Sequence, residues 1–300
     1  MTVLAQRQPS GDAGIEVALG GGYTIREAHD PESIAELLPV FRASFDYDGL
    51  GTPPAWLLQD AIKAGGIMLG LWHGTEAVGF SYSIVGKDDE SVYLYSDGLG
   101  VLPGHRLRQH ARALKAAQRE AALARGIERI VWTYSALRSV NGHLYLTGLG
   151  GFARAYVVDY RGDQSAEFPT EGGVPIDEFV VEWRLHTSRV RRRLAGERPV
   201  VDLSEVPCLT RTSGAGLRVR LASTLPPDGS ADRVRCEVPA DFQAMVDADP
   251  GLMLDWRLQT REIFLSLLEA GYALTECAYE RGADLASYIF ERGVTKELMS

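Results

Sequence analysis

Cysteine is scarce in this 300-residue chain: Cys208, Cys236 and Cys277, all in the last third and widely spaced. An odd, scattered set excludes a disulfide framework and a cysteine metal knuckle, and points to buried thiols in a reducing compartment. Long hydrophobic runs are missing too. No apolar stretch approaches the ~20 residues a membrane-spanning helix needs. Met1 to Gly22, rich in Gln, Pro, Ser, Gly and Asp, lacks the apolar core of a secretory signal and reads as a flexible tail. Positive charge is in deficit, with 31 Lys and Arg against 40 Asp and Glu, a net charge of -9. That balance disfavours nucleic acid or an anionic membrane as the main partner. The six histidines have no ligand spacing. His105 and His110 lie five apart, off a shared helical face and with no Cys nearby, so no metal is expected. The expectation is a cytoplasmic protein without a membrane partner.

What remains is ordinary globular material, 45% hydrophobic and 24% charged, long enough for one large domain or two. Tyr23 to Ala28 alternates as a strand. Asp30-Pro31-Glu32-Ser33 opens a helix that carries Ile34, Leu37, Leu38, Phe41 and Phe45 on one face. A loop at 46–54 precedes a second amphipathic helix with Trp56, Leu57, Ala61 and Ile62. Ile67 to Trp72 and Ala77 to Val85 form a strand pair joined through Gly74. Later strands are expected at Ile127 to Tyr134, Phe152 to Tyr160 and Phe179 to Leu185, with a short basic helix at Ser188 to Gly196. Pro199 marks the expected boundary: 1–21 a tail, 22–198 a first domain and 199–300 an extension. In the extension, Leu209 to Ala231 reads as a linker or loose hairpin. Strand Arg233 to Val238, an Asp-rich turn, helix Leu252 to Glu269, and strands Ala273 to Tyr279 and Ala286 to Phe290 follow.

The chain centres on Ser91 to Gly126. Val92, Tyr93, Leu94 and Tyr95 suit a half-buried strand. Pro103 ends it, Gly104 permits the reversal, and a long helix opens around Arg106 and stops at Gly126. A strand running into a helix N-terminus is an anion site, because the first N–H groups have no intrahelical partner.

Val101-Leu102-Pro103 followed by Arg106-Leu107-Arg108-Gln109-His110-Ala111 resembles the core signature of the GCN5-related N-acetyltransferase (GNAT) superfamily. Gln109 stands where that signature has its central glycine. Asn141-Gly142-His143-Leu144-Tyr145, leading to Gly150-Gly151-Phe152, is similar to the second signature. The resemblance covers roughly residues 22 to 190. It implies a mixed, mostly antiparallel α/β sheet with splayed central strands, here Val92 to Val101 and Ile130 to Ser135, plus a C-terminal α/β extension. It also implies acetyl-CoA or another acyl thioester as cosubstrate, its pantetheine arm lying between those strands, and an amine that attacks the thioester directly.

Site residues follow from that resemblance. Leu99-Gly100-Val101 corresponds to the bulge that aims an N–H at the thioester oxygen, although Gly100 equally suits a close backbone approach. Arg106, Arg108, Gln109, His110, Ala111 and Arg112 would meet the phosphates. Arg108, Arg112, Lys115 and Arg119 make one basic stripe, whose outer pair reads as a solvated face. Asp97 is the candidate base, or else a strand-end turn residue, with Ser96 as proton relay or cap. Tyr145 is the candidate acid, one helical residue away from the family's position. Asn141 caps a short helix or contacts pantetheine. Asp46, Tyr47 and Asp48 sit where a cationic amine would be gripped.

The function expected is N-acyl transfer to a small-molecule amine. Three readings stay open beside it: an acyl carrier protein as donor, which one phosphate and the Gln109 loop would fit; a different activated acyl group such as aminoacyl-tRNA, which the acidity disfavours; and a non-catalytic binding protein. The last hundred residues either cover the site or mediate a homodimer.

Overall fold

The computed structural model describes residues 14–45, 52–106, 108–162, 175–224, 231–279 and 282–294. The acidic segment Asp46-Tyr47-Asp48, Leu107 and the side chain of Arg108 lie outside the described part. The chain forms two compact units, 1–127 and 128–300, and the sequence boundary at Pro199 falls inside the second.

In the first unit, β1 (Glu16–Ala18), β2 (Tyr23–Glu27), β3 (Ile67–His73), β4 (Glu76–Lys87) and β5 (Val92–Val101) pair in chain order, each antiparallel to the next. Among the described residues, three α-helices accompany them: α1 (Pro31–Phe45), α2 (Ala55–Lys63) and α3 (Arg108–Ala124). Asp30 starts α1 by accepting the backbone N–H groups of Glu32 and Ser33, and these bonds hold its carboxyl below the usual range. The apolar face of α1 buries Ile34, Leu37, Val40 and Phe41 against Met68, Trp72 and Phe80. β3 and β4 turn through Gly74 and Thr75, with Gly74 at φ 61 in the left-handed region that favours glycine.

The glycines of β5 answer the α1 packing. A Cβ on Gly98 would lie 3.0 Å from the Phe80 ring, and one on Gly100 would lie 2.4 Å from Ser44 Oγ. Close approach of a helix and an aromatic ring is therefore what glycine supplies here.

Among the described residues of the second unit, six antiparallel strands form the main arrangement, with two further strands forming a separate pair. In chain order its strands are β6 (Arg129–Ser135), β7 (Phe152–Val157), β8 (Glu178–Arg184), β11 (Arg233–Pro239), β12 (Tyr272–Tyr279) and β13 (Leu285–Arg292). Their spatial order is β6-β8-β7-β12-β13-β11. Between β10 (Arg220–Thr224) and β9 (Thr210–Ser213) the pairing is antiparallel, so residues 210–224 of the segment read as a linker or loose hairpin are a hairpin. The remaining helices are α4 (Ser139–Gly142), α5 (Ser188–Leu194), α6 (Phe242–Ala248) and α7 (Pro250–Glu269). The two strands expected to part belong to different units, β5 to the first and β6 to the second.

Polar clamps join the late residues to the earlier ones of this unit. The buried Asp177 carboxylate accepts two bonds from Arg261 on α7, at 2.7 and 2.8 Å, and one from the Tyr156 hydroxyl at 2.8 Å. Glu276 on β12 accepts from Arg189 and Arg193 on α5, at 2.8 and 2.5 Å. The Asp-rich segment read as a turn holds two helix caps instead. Asp241 accepts the N–H of Ala244 to open α6, and Asp249 accepts that of Leu252 to open α7. β7 stops at Val157, short of the expected Tyr160, because Asp159 turns left-handed at φ 47 and donates its N–H to Asp177.

Gly100→Ala tests the α1 packing. It is expected to cost about 1–3 kcal/mol in urea unfolding, the usual cost of overpacking. Gly104→Ala, with nothing within 4 Å of the new Cβ, should stay within about 0.5 kcal/mol of wild type.

Candidate active site

The bulge in β5 lies earlier than the sequence places it. Pairing steps from Tyr82↔Gly98 to Ile84↔Tyr95, so β5 uses three residues where β4 uses two. The extra residue therefore falls at Ser96–Asp97. Leu99, Gly100 and Val101 pair regularly with Ser81, Phe80 and Gly79. The expectation of a bulge at Leu99-Gly100-Val101 is corrected: its glycine makes room for α1, and the strand kinks at two polar residues. A bulge re-aims side chains, and here Ser96 turns inward while Asp97 is exposed.

Ser96 meets α3 from the inside. Lys115 Nζ lies 2.7 Å from Ser96 Oγ and 3.1 Å from Gln118 Oε1, and Gln118 Nε2 donates to Ser96 Oγ at 3.1 Å. Lys115 is 1% exposed and Gln118 fully buried. Within the stripe, Lys115 and Arg119 are thus not on a solvated face. Lys115 sits among Leu114, Ala117, Ala121 and Ala122 on the buried side, and Arg119 is largely covered and pairs with Glu120. Removal from water disfavours the charged amine and lowers its pKa from 10.5 to about 7. The helical spacing 111, 114, 115, 118, 122 carried this signal, since Lys115 and Gln118 share their face with Leu114. On β4, burial first and the Asp97 charge second push the Tyr82 phenol up to about 12.

Beyond β5, Pro103–His105 forms a short 3-10 turn. The exposed Arg106 donates from Nε to the Val101 carbonyl at 2.9 Å, tying the turn to the end of the strand. Gln109 is exposed, while Ala111 and Arg112 are half-buried. His110 faces the interior: it is fully buried, with Nδ1 2.9 Å from the His105 carbonyl. As a group that would contact phosphate from the helix mouth, His110 is corrected. Its ring instead packs 4.2 Å from Tyr23, whose hydroxyl shares a 2.9 Å hydrogen bond with His105 Nδ1. The tertiary fold gathers His105, His110 and His73 around Tyr23, although five residues separate the first two on the chain. Among the described residues no three ligating side chains are placed to hold a metal.

Two sequence candidates belong to the second unit. Asn141 is the third residue of α4, and its neighbour Arg138 occupies the N-cap without a side-chain bond; the capping role of Asn141 is corrected. Tyr145 lies in a π-helical turn, His143–Gly148, that continues α4. Its ring meets Trp132 at 5.1 Å and Tyr134 at 5.7 Å. Burial pushes its phenol up to about 12, which keeps it protonated, the form a proton donor requires. Of the thiols, Cys236 and Cys277 are buried and Cys208 is half-buried.

No protein-family model matches the chain. No curated protein is similar to it. The solved structures it is similar to include acetyltransferases. A GNAT-family acetyltransferase from Streptococcus pneumoniae is 16% identical with a TM-score of 0.43, covering 54% of this chain and 98% of its own. The ribosomal-protein-S18-alanine N-acetyltransferase of Escherichia coli is 12% identical with a TM-score of 0.43, covering 54% and 94%. A putative acetyltransferase from Salmonella typhimurium, solved with acetyl-CoA, is 14% identical with a TM-score of 0.45, covering 55% and 94%.

Lys115 makes stability depend on pH in a set direction. Its folded value near 7 lies below the unfolded 10.5, so between them the unfolded chain binds more protons and stability rises with pH. The slope is at most about 1.4 kcal/mol per pH unit. Lys115→Met is expected to flatten that rise in urea unfolding from about pH 6 to about pH 10. Parallel curves for wild type and variant would show that the amine is not buried in solution.

Proposed function

We propose that this protein is a GNAT-type N-acyltransferase, moving an acyl group from a pantetheine thioester to a small-molecule amine by direct attack. The observation that carries this reading is the joint of β5, the Pro103 turn and α3. A strand ends at Val101, Arg106 pins the turn to that strand end, and a 17-residue helix begins at Arg108. The first amides of any helix lack intrahelical acceptors and favour an anion. At this helix start the residues fit a phosphate: the His110 ring is withdrawn into the interior and the exposed Arg106 stands beside the turn. The thioester supplies the activated acyl group; the chain supplies positioning and proton removal.

Asp97 suits the base. It is exposed, directly follows the inward-turned Ser96 at the bulge, and projects from the strand that would line the donor. A carboxylate there accepts the proton of the incoming ammonium, directly or through one water. A second donor, phosphopantetheine on an acyl carrier protein, is favoured by the exposed Gln109 side chain at the family's glycine position. It carries one phosphate where CoA presents a pyrophosphate.

Thermal-shift and turnover measurements with acetyl-CoA, longer acyl-CoAs and a loaded carrier protein, each with a panel of small amines, test this reading. Binding of at least one thioester and acylation of at least one amine are expected. Asp97→Asn should lower kcat about 100-fold or more while leaving the donor KM near wild type. A panel with neither a shift nor turnover would leave a binding protein and end the enzyme reading.

A further inference from the structure

We propose that Ser96 and Lys115 form a serine–lysine nucleophile pair, which takes an acyl group from a small activated ester onto Ser96 Oγ. This would be an esterase-type activity, distinct from transfer to an amine and independent of any pantetheine donor.

Three observations converge on the pair. First is geometry: Nζ and Oγ lie 2.7 Å apart, within the reach a base needs to take a hydroxyl proton. Gln118 bonds both members, donating to Oγ and accepting from Nζ at 3.1 Å each. A third group that holds a nucleophile and its base in register is the general pattern of an activated serine. Second is placement. Ser96 stands at the bulge, where β5 departs from its ladder with β4, and it keeps 7% of its surface exposed while Lys115 keeps 1% and Gln118 none. The nucleophile is thus the member nearest solvent, and the base is shielded behind it. Third is cost. The apolar face of α3 carries Leu114, Ala117, Ala121 and Ala122, and an amine buried among them destabilises the fold by desolvation. Loss of water also favours the neutral amine at physiological pH, and only the neutral form has the lone pair that a base needs.

The step balances within the pair and its substrate. Ser96 Oγ bonds to the ester carbonyl carbon as its proton passes to Lys115 Nζ. The carbon–oxygen bond to the leaving group then breaks, and Lys115 returns the proton to the departing alkoxide or phenoxide. Water attacks the acyl-serine, again losing its proton to Lys115. The carbon–Oγ bond breaks, Ser96 recovers its proton, and a carboxylic acid is released.

The full chain incubated with p-nitrophenyl acetate tests this directly. The expected result is a burst of p-nitrophenolate and an acetyl adduct that peptide mass spectrometry maps to Ser96. Hydroxylamine should remove that adduct, since it cleaves esters and spares amides. Ser96→Ala should abolish the adduct, and Lys115→Met should slow its formation about 100-fold or more. Ser96→Cys, which keeps the side-chain size, should carry a hydroxylamine-labile adduct at the same position. An adduct on Lys115 or any other lysine, an adduct elsewhere, or none at all overturns the proposal. Mapping on the wild-type chain decides this however the variants fold. Because no CoA or carrier is used, a negative result leaves the acyltransfer reading standing, and a failed thioester panel leaves this one standing.

Discussion

Burial of a lysine amine against a serine is the constraint around which the first unit is arranged. Lys115 comes from α3, where its apolar inward neighbours are Leu114, Ala117, Ala121 and Ala122, and an amine there needs polar company. Ser96 and Gln118 supply it. Ser96 reaches that position only because β5 gains a residue at Ser96–Asp97, so that the strand faces α3 before the kink and receives α1 after it. The glycines beyond the kink follow from the same geometry. Gly98 and Gly100 lie under Phe80 and Ser44, where any larger side chain would hold α1 away. One bulge thus sorts a polar contact onto one helix and an apolar one onto the other.

The second unit uses buried ion pairs for a different purpose. Asp177 takes Arg261 from α7, and Glu276 takes Arg189 and Arg193 from α5, each partner far away in the chain. Breaking such a pair leaves an uncompensated buried charge, which costs more than the pair contributes when intact. These clamps fix the register of late elements on early ones: Glu276 sets β12 beside α5, and Arg261 sets α7 over the start of β8. Strands β11 to β13 therefore belong to the same sheet as β6 to β8, with Leu274 on β12 pairing Ala153 on β7.

Much of this was readable from residue pattern. The strands of the first unit beyond β1 follow from alternation, a hairpin signal and β-propensity, and the three long helices from 3.6-residue periodicity, two of them bounded by Asp30, Pro103 and Gly126. The site was less readable, and the failures share a cause. In sequence Gly100 suits a bulge and a close approach alike, and only the position of Phe80 and Ser44 separates them. Lys115 was read by its charge, though its spacing from Leu114 put it on the inner face. His105 and His110 were kept apart by counting along a helix that in fact begins at Arg108, so His105 lies in the preceding turn. Asp241 and Asp249 carried the right local meaning, a break in the chain, but the break was the start of a helix each time.

The sequence by itself determined the long helices, most strands and their order, because propensity, periodicity and turn chemistry act between residues a few positions apart. It also determined the joint at Pro103, where a residue without an N–H must end a strand and a helix can begin. Only tertiary structure decided which polar side chains are buried together. Ser96 with Lys115, Tyr23 with His105 and His110, Glu276 with two arginines: each pairing spans a long stretch of chain and is set by the packing of whole elements. Desolvation, which moves Lys115 toward neutrality, acts through that packing: helical spacing puts Lys115 on the inner face, but only the fold sets how deeply it is buried and against what.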